Sequence, residues 1–481
     1  MTQVDSGTNT ATRAAPTPAS PPARSPRLGL IFAVICGGFA MSNLDMMIVN
    51  VAFPAIERDF HGSTAADLSW ALSGYSIIFA ALLVPFGRLA DRSSRKGGFM
   101  LGLAVFTIAS ALCAVAQNVP MLVGARVLQA AGAAALVPTS LGLLLAAFPP
   151  ERRTAAISGL TAIGGVGVAL APIIGGALAN ADWRWIFVIN LPIGVFSLIV
   201  GQRVLPSSKA AERGPLPDLL GSVLLILGVG LLALGVVKAP EWGWSSGRVL
   251  GSFAGAALFV IVFLVRSGRH PSPVVSFDLW RIPSFSLANV ASILFAICFS
   301  AMLLSFMLWC QSVWGYSALK TGLAFAPGTF LMPIVATFSG RLAKRISPGG
   351  VIALGCALLS AGVLWWASTA QVAPNYLGMV LPGAILTPIG AILTLTTVIA
   401  VVTKDLPPTA YATGSAVNTM IRQIGFVVGV SVFVATLGTA ATPEALKTAF
   451  QHGWIFTAAS GVAAVLVSLL LIRRPAPKPA A

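Results

Sequence analysis

The chain has 481 residues, of which 57% are hydrophobic and only 9% charged. Soluble domains carry roughly 25% charged residues, so this composition excludes a water-soluble globular protein and leaves a polytopic membrane protein. The net charge of +16 does not mark a nucleic-acid binder, because 22 of the Lys and Arg fall in alternate loops and tails and only six in the opposite set. That asymmetry is the positive-inside pattern, and it predicts both termini in the cytoplasm of a cell inner-membrane protein.

Residues 1–27, rich in Ala, Pro, Ser and Thr, read as a disordered cytoplasmic tail. They do not read as a signal peptide, since the apolar run after them is too long and ends in no cleavage signal. Fourteen apolar stretches follow, each long enough to cross ~30 Å of hydrocarbon as a helix. Their limits are 28–53, 68–87, 98–116, 121–147, 155–179, 185–204, 218–237, 249–266, 285–310, 321–341, 350–369, 376–402, 412–437 and 453–472. The predicted fold is all-α and polytopic.

The first stretch, LGLIFAVICGGFAMSNLDMMIVNVAF, contains Asp45, the one acidic residue placed in the interior of a predicted span and not at its edge. A lone carboxylate at that depth is costly unless paired, which marks it as a functional candidate. In a transporter it is a natural place to load and unload a proton. The alternative is a carboxylate near the helix end that snorkels to water.

The second span ends in PFGRLADRSSRKGG, a basic loop. The fourth carries Arg126 and Gln129 within LVGARVLQAAGAA. Span one runs outward and span four inward. At 1.5 Å per residue Asp45 lies ~25 Å from its cytoplasmic end and Arg126 ~9 Å from its outer end. Both fall in the outer third of the membrane, so Arg126 either pairs with Asp45 or braces backbone carbonyls. The fifth span crowds glycines around Pro172 in GVGVALAPIIGGAL. Small residues let helix backbones approach closely, and this density suits a helix at an interface between moving bundles.

Two longer polar segments, KAAERGPLPD and SGRHPSPVVSFDLWRIPS, flank a central pair of spans. They divide the chain into a 28–205 six-helix bundle, a 206–284 linker with two extra helices, a 285–473 six-helix bundle and a 474–481 tail. The second span of the later half ends in TFSGRLAKRISPGG. It shares GRLAxR with the loop after span two, at the same place in its set of six, which suggests two parallel repeats. The alternative is chance likeness between two basic loops. Asn50, Tyr75, Gln129, Asn289, Trp309, Gln311, Asn418, Arg422 and Gln423 are the polar or aromatic span residues that can line a cavity. Met302, Met307 and Met332 offer adaptable apolar surface.

Four segments together resemble the major facilitator superfamily, in particular its fourteen-helix drug/proton antiporters. LDMMIVNVAFP matches the first-helix pattern at Asp45, Asn50, Ala52 and Pro54, with Met47 in place of the usual Thr. GRLADRSSRK matches the loop after helix two at Gly87, Asp91, Arg92, Arg95 and Lys96, with Ser94 where Gly is usual. LVGARVLQAAGAA carries Arg126, Gln129 and Gly132 in place. GVGVALAPIIGGAL matches the antiporter pattern of helix five at Gly167, Pro172, Gly175 and Gly176, with Ala171 for the first Gly of its Gly-Pro pair, and WRWIFVINLPIG follows it. NTMIRQIG, around Arg422, is also similar to the family pattern.

The resemblance implies a major facilitator fold of two six-helix bundles plus two central helices. It implies proton coupling at Asp45 and Arg126, and a cytoplasmic gating loop at Gly87, Asp91, Arg92 and Arg95. In that loop Asp91 would clasp arginines across the bundle interface, whereas the second copy carries Lys344 there. The alternative for the loop is orientation in the membrane alone.

The sequence holds no Gly-Lys dipeptide, hence no Walker A loop, and its three histidines are scattered, which excludes an HExxH zinc site. Five cysteines, all in apolar spans, form no metal-ligand spacing and read as small hydrophobes. GWSSG around Ser245 fits G-x-S-x-G but lies in a short loop between spans, without the strand and partners a hydrolase elbow needs. The expected protein is a proton-coupled antiporter that exports an antibiotic or other amphipathic drug. It would act as a monomer, with small-molecule drug, protons and lipid bilayer as its partners and with no enzyme activity, cofactor, metal or nucleic acid. The rivals are an exporter of an endogenous metabolite, a nutrient symporter, and a non-transporting sensor or scaffold.

Overall fold

The computed structural model describes residues 28–92, 94–206, 216–406, 411–438 and 442–472. Their regular structure is helical, in sixteen α-helices and two π-helical turns. Hydrocarbon offers no hydrogen-bond partner to the backbone, so long apolar segments satisfy it within themselves as helices.

The first half holds α1 (Leu28–Asp59), α2 (Ala65–Arg92), α3 (Arg95–Ala114), α4 (Val119–Ala147), α5 (Pro150–Ala181), the single turn α6 (Trp185–Val188) and α7 (Asn190–Val204). Next come α8 (Leu219–Trp242), α9 (Gly247–Ser267) and the single turn α10 (Phe277–Trp280). The second half holds α11 (Pro283–Leu308), prolonged by a π turn over Trp309–Val313, then α12 (Ala318–Ile346) and α13 (Pro348–Thr369). A second π turn, Tyr376–Val380, leads into α14 (Leu381–Lys404), followed by α15 (Tyr411–Leu437) and α16 (Pro443–Ile472).

Thirteen helices among the described residues are long and apolar enough to cross a membrane. The predicted span 155–179 coincides with α5, whose backbone is helical over 32 residues and whose described apolar run is Leu170–Ala181. Several helices outrun their apolar windows. The first continues past Pro54 to Asp59, and α16 begins at Pro443, ten residues before the predicted span. Once nucleated, a helix gains a hydrogen bond per added residue and need not stop where lipid does. Side chains such as Leu101, Ile108, Leu258 and Ile261 are more than half exposed, which is the apolar belt a bilayer covers.

Helix contacts between the halves are reciprocal. The fifth long helix of the first half, α5, packs on α12, the second long helix of the other; α15, fifth of the later set, packs on α2. Parallel repeats related by an axis along the membrane normal produce this exchange. Helix α8 packs against both α2 and α15, and α9 packs on α8. Counted with α5, the long helices among the described residues are even in number, so residue 28 and residue 472 share one face of the bundle, the terminal face; the turns at 60–64 and 314–317 lie on the far face.

The GWSSG segment is the turn between α8 and α9. Gly243 takes φ 84° there, and Ser246 Oγ caps α9 by accepting the Val249 backbone N–H. The five cysteines are buried and free. Among the described residues no cluster of His, Cys, Asp and Glu has metal-binding geometry.

Candidate functional site

Five helices bring polar side chains to one buried point in the first half. Asp45 on α1 is 0% exposed and Arg126 on α4 is 1% exposed. Arg126 Nη1 donates to Asp45 Oδ2 at 2.5 Å. Gln129, one turn along α4, donates from Nε2 to Asp45 Oδ1 at 2.9 Å and accepts from Arg126 Nη1 at 2.5 Å. The first residue of α7, Asn190, donates to Asp45 Oδ1 at 3.1 Å. Ser110 Oγ on α3 accepts from Gln129 Nε2 at 2.8 Å and from Asn190 Nδ2 at 3.4 Å. Arg126 Nε donates to the Ala71 carbonyl of α2 at 3.3 Å, and its guanidinium lies 4.1 Å from the centroid of the Tyr75 ring.

The cluster is formally neutral, with one carboxylate and one guanidinium. Neither charge is tolerable alone at this depth, because removing one partner of a buried pair leaves the other uncompensated, at about 3–5 kcal/mol. Three donors around one carboxylate and a ring under the guanidinium tie the pair into a network.

Next to the network lies a cavity between the halves. Met46, Asn50, Tyr75 and Arg126 line it from one side, Phe299 and Phe426 from the other. Its space is about 30 Å³, enough for water. Drug-sized ligand sites run to roughly 300–1,000 Å³, so the helices must part to admit such a molecule.

The halves are joined at the far face by backbone-to-backbone approach. A Cβ placed on Gly176 of α5 would meet the Ala318 carbonyl of α12 at 2.5 Å, and one on Gly322 of α12 would strike the Pro172 carbonyl of α5. Gly175 faces the other way, toward Ile48 of α1, and Gly167 faces Ala40 of α1. Helix α5 is therefore wedged between α1 and α12 through the glycines around Pro172. Gln311, in the π turn after α11, donates to the Val51 carbonyl of α1 at 2.9 Å and adds a polar tie between the halves.

At the terminal face, Gly87 of α2 lies against Pro138 of α4, and Arg95 Nη1 reaches the Gly142 carbonyl at 3.4 Å. Lys96 Nζ donates to the Gln202 and Leu205 carbonyls at the end of α7. These contacts brace the first bundle. The link toward the second half comes from Arg88, whose Nη1 donates to Ser272 Oγ of the α9–α11 connector at 2.7 Å. The side chains of Asp91 and Arg92, on which the expected clasp depends, lie outside the described residues.

The other cavity candidates divide. Asn50 and Tyr75 line the cavity; Asn50 also donates to the Met47 carbonyl of its own helix at 3.3 Å. Asn289 and Asn418 instead join α11 to α15, with Asn418 Nδ2 donating to Asn289 Oδ1 at 3.0 Å and Ser292 Oγ at 2.8 Å. Trp309 belongs to an aromatic cluster with Phe450 and Trp454. Met302 and Met307 are buried in the core; the cavity's methionines are Met46 and Met47. Arg422 is half-buried on α15, with no hydrogen bond, ion pair or ring contact to any described residue.

Sequence reasoning missed Asn190 and Ser110. Asn190 carried the signal that singled out Asp45, a polar side chain inside the apolar run WRWIFVINLPIG. Ser110 had none, since single serines are common in these spans and satisfy themselves on the preceding turn, as Ser110 also does on the Phe106 carbonyl.

Comparison with known proteins agrees with this architecture. The pattern of the Major Facilitator Superfamily matches residues 35–430. The chain is 36% identical over 336 residues to the tetracenomycin C resistance and export protein of Streptomyces glaucescens, covering 69% of this chain and 62% of that protein, less than two thirds of its length. It is 31% identical to the cephamycin export protein of Amycolatopsis lactamdurans, over 91% of this chain and 90% of that one. A bacterial homolog of the human lysosomal transporter Spinster, in an inward-facing and unoccupied conformation, superposes with TM-score 0.65 at 17% identity, over 96% of this chain and all of that one. At that identity the likeness is one of fold.

Proposed function

The chain belongs to the Major Facilitator Superfamily, and from that premise we propose that it is a proton-coupled antiporter that exports an antibiotic or similar amphipathic drug and confers resistance to it. The terminal face is the cytoplasmic one, by the positive-inside rule, and the membrane is the cell's inner membrane. The bundles are 28–205 and 285–473, with 206–284 as the linker that carries the extra helices, and the working unit is the monomer.

The observation that carries this reading is the buried Asp45–Arg126 pair beside a cavity that both halves line. Arg126 belongs to both, as the partner of Asp45 and as a cavity wall. A proton from the far side neutralises Asp45 and leaves Arg126 without its carboxylate. The guanidinium, held against the Tyr75 ring, is then free to shift, and the cavity wall it forms shifts with it. Loss of the proton to the cytoplasm restores the pair. The Gly176–Ala318 and Gly322–Pro172 approaches form when the far face is closed and separate when the halves rock. The relatives named as export proteins support the outward direction of drug movement.

Everted vesicles containing the protein test the reading. They should accumulate drug when their lumen is acidified, for compounds drawn from a resistance panel. Accumulation that ignores the proton gradient, or the absence of flux for every compound, rejects it.

A further inference from the structure

We infer that the transport cavity selects an anionic amphipathic molecule, with Arg422 as the residue that receives its negative group. The inference deepens the exporter reading and rests on it for the identity of the cavity.

Charge in the described membrane interior is unequally matched. Asp45 and Arg126 neutralise each other. Arg422, eleven residues inside α15, has no counterpart among the described residues. An unpaired guanidinium at such depth is costly and persists where it borders a water-filled path or meets a ligand.

Its position on α15 points to the cavity. Side chains three and four apart share one helix face. Ser415, Thr419 and Arg422 are all half-buried and continue that face into Phe426, which lines the cavity. The next residue, Gln423, reaches Met46, another cavity wall, with Nε2 3.3 Å from Sδ. Long helical side chains lean toward the helix N-terminus, which for α15 is the terminal face. Arg422 thus stands one turn below Phe426, between the cavity and the face from which a drug enters.

The walls above it suit the rest of such a molecule. Phe299 and Phe426 have ring centroids 6.0 Å apart, and Met46 adds deformable apolar surface. Ser73 of α2 lines the cavity with a buried hydroxyl that has no hydrogen-bond partner among the described residues. Among the described residues the arrangement offers an aromatic and thioether surface, a hydroxyl, and an unpaired cation at the entrance. A cationic drug would meet the same charge at that entrance.

The test uses two fluorescent probes of one skeleton, 1-anilinonaphthalene-8-sulfonate and its neutral counterpart N-phenyl-1-naphthylamine. Binding is measured on the full-length protein in nanodiscs, with empty nanodiscs subtracted. The wild type should bind the sulfonate about tenfold more tightly than the amine, as a charge-assisted contact implies. Arg422→Gln should remove that preference by weakening only the sulfonate, and Arg422→Lys should keep most of it. Equal affinities in the wild type, preference for the amine, binding of neither probe, or a sulfonate affinity untouched by Arg422→Gln overturns the inference. The wild-type and Arg422→Lys arms decide it even if Arg422→Gln fails to fold. Failure of gradient-driven efflux with the sulfonate preference intact rejects the exporter reading instead.

Discussion

Asp45 on α1 and Arg126 on α4, 81 positions apart in the chain, meet at 2.5 Å at a buried point. Gln129 and Asn190 both donate to the other carboxylate oxygen, and Tyr75 lies under the guanidinium. An ion pair so enclosed persists only while both charges are present.

That interdependence predicts a non-additive mutant cycle. Asp45→Asn and Arg126→Gln should each destabilise the folded protein by about 3–5 kcal/mol, because each strands the other charge. The double variant should be more stable than either single one. Thermal unfolding in a fixed detergent, across the four proteins, measures it. Additive losses would mean that the charges are solvated separately.

Gly322 predicts a conformational effect. Its replacement by Ala sets a methyl group against the Pro172 carbonyl, which is backbone and cannot rotate away. Overpacking of this kind costs about 1–3 kcal/mol, and here the cost falls on the far-closed arrangement. A cysteine at Ser73, in a background without native cysteines, should be labelled faster from the far side by an impermeant maleimide. Unchanged labelling would show that the glycine contact does not hold that face shut.

Asn190→Ala should weaken the network without stranding a charge. It removes one hydrogen bond to a carboxylate, worth about 1.5–3 kcal/mol. The melting temperature should fall by less than for Asp45→Asn, and transport should fall in part. Full activity with an unchanged melting point would remove Asn190 from the site.

The legible part of this molecule was whatever hydrocarbon makes expensive. Asp45, Arg126 and the apolar runs themselves stood out because a charge or a break in such a run has few explanations, whereas several helix ends lie beyond the predicted limits. The pairing of Asp45 with Arg126 was one of two readings that depth alone left open, and the side-chain geometry combines them, since Arg126 also donates to the Ala71 carbonyl. What the sequence did not disclose is which apolar residue faces lipid and which faces the cavity. Phe299 and Phe426 line the cavity, whereas Trp309, equally conspicuous on paper, packs against Phe450 and Trp454. In a chain with 57% hydrophobic residues the faces of a helix carry little contrast. Asn289 and Asn418 showed the limit of polarity as a guide, since they hydrogen-bond to each other across α11 and α15.

The turn after α8 separates transport from hydrolysis. Ser246→Ala should cost about 1 kcal/mol of stability by loss of the α9 cap. Ser245→Ala should leave drug efflux unchanged. A hydrolytic activity abolished by Ser245→Ala would contradict a purely transporting role.

The central claim is that Asp45 carries the coupling proton, and one comparison tests it most directly. Wild type and Asp45→Asn are reconstituted at matched density in liposomes, and a drug from the resistance panel is followed twice, as uphill accumulation driven by an imposed pH gradient and as exchange with no gradient. Asp45→Asn should lose the uphill accumulation and keep the exchange. Gradient-driven accumulation at the wild-type level in Asp45→Asn would contradict the account.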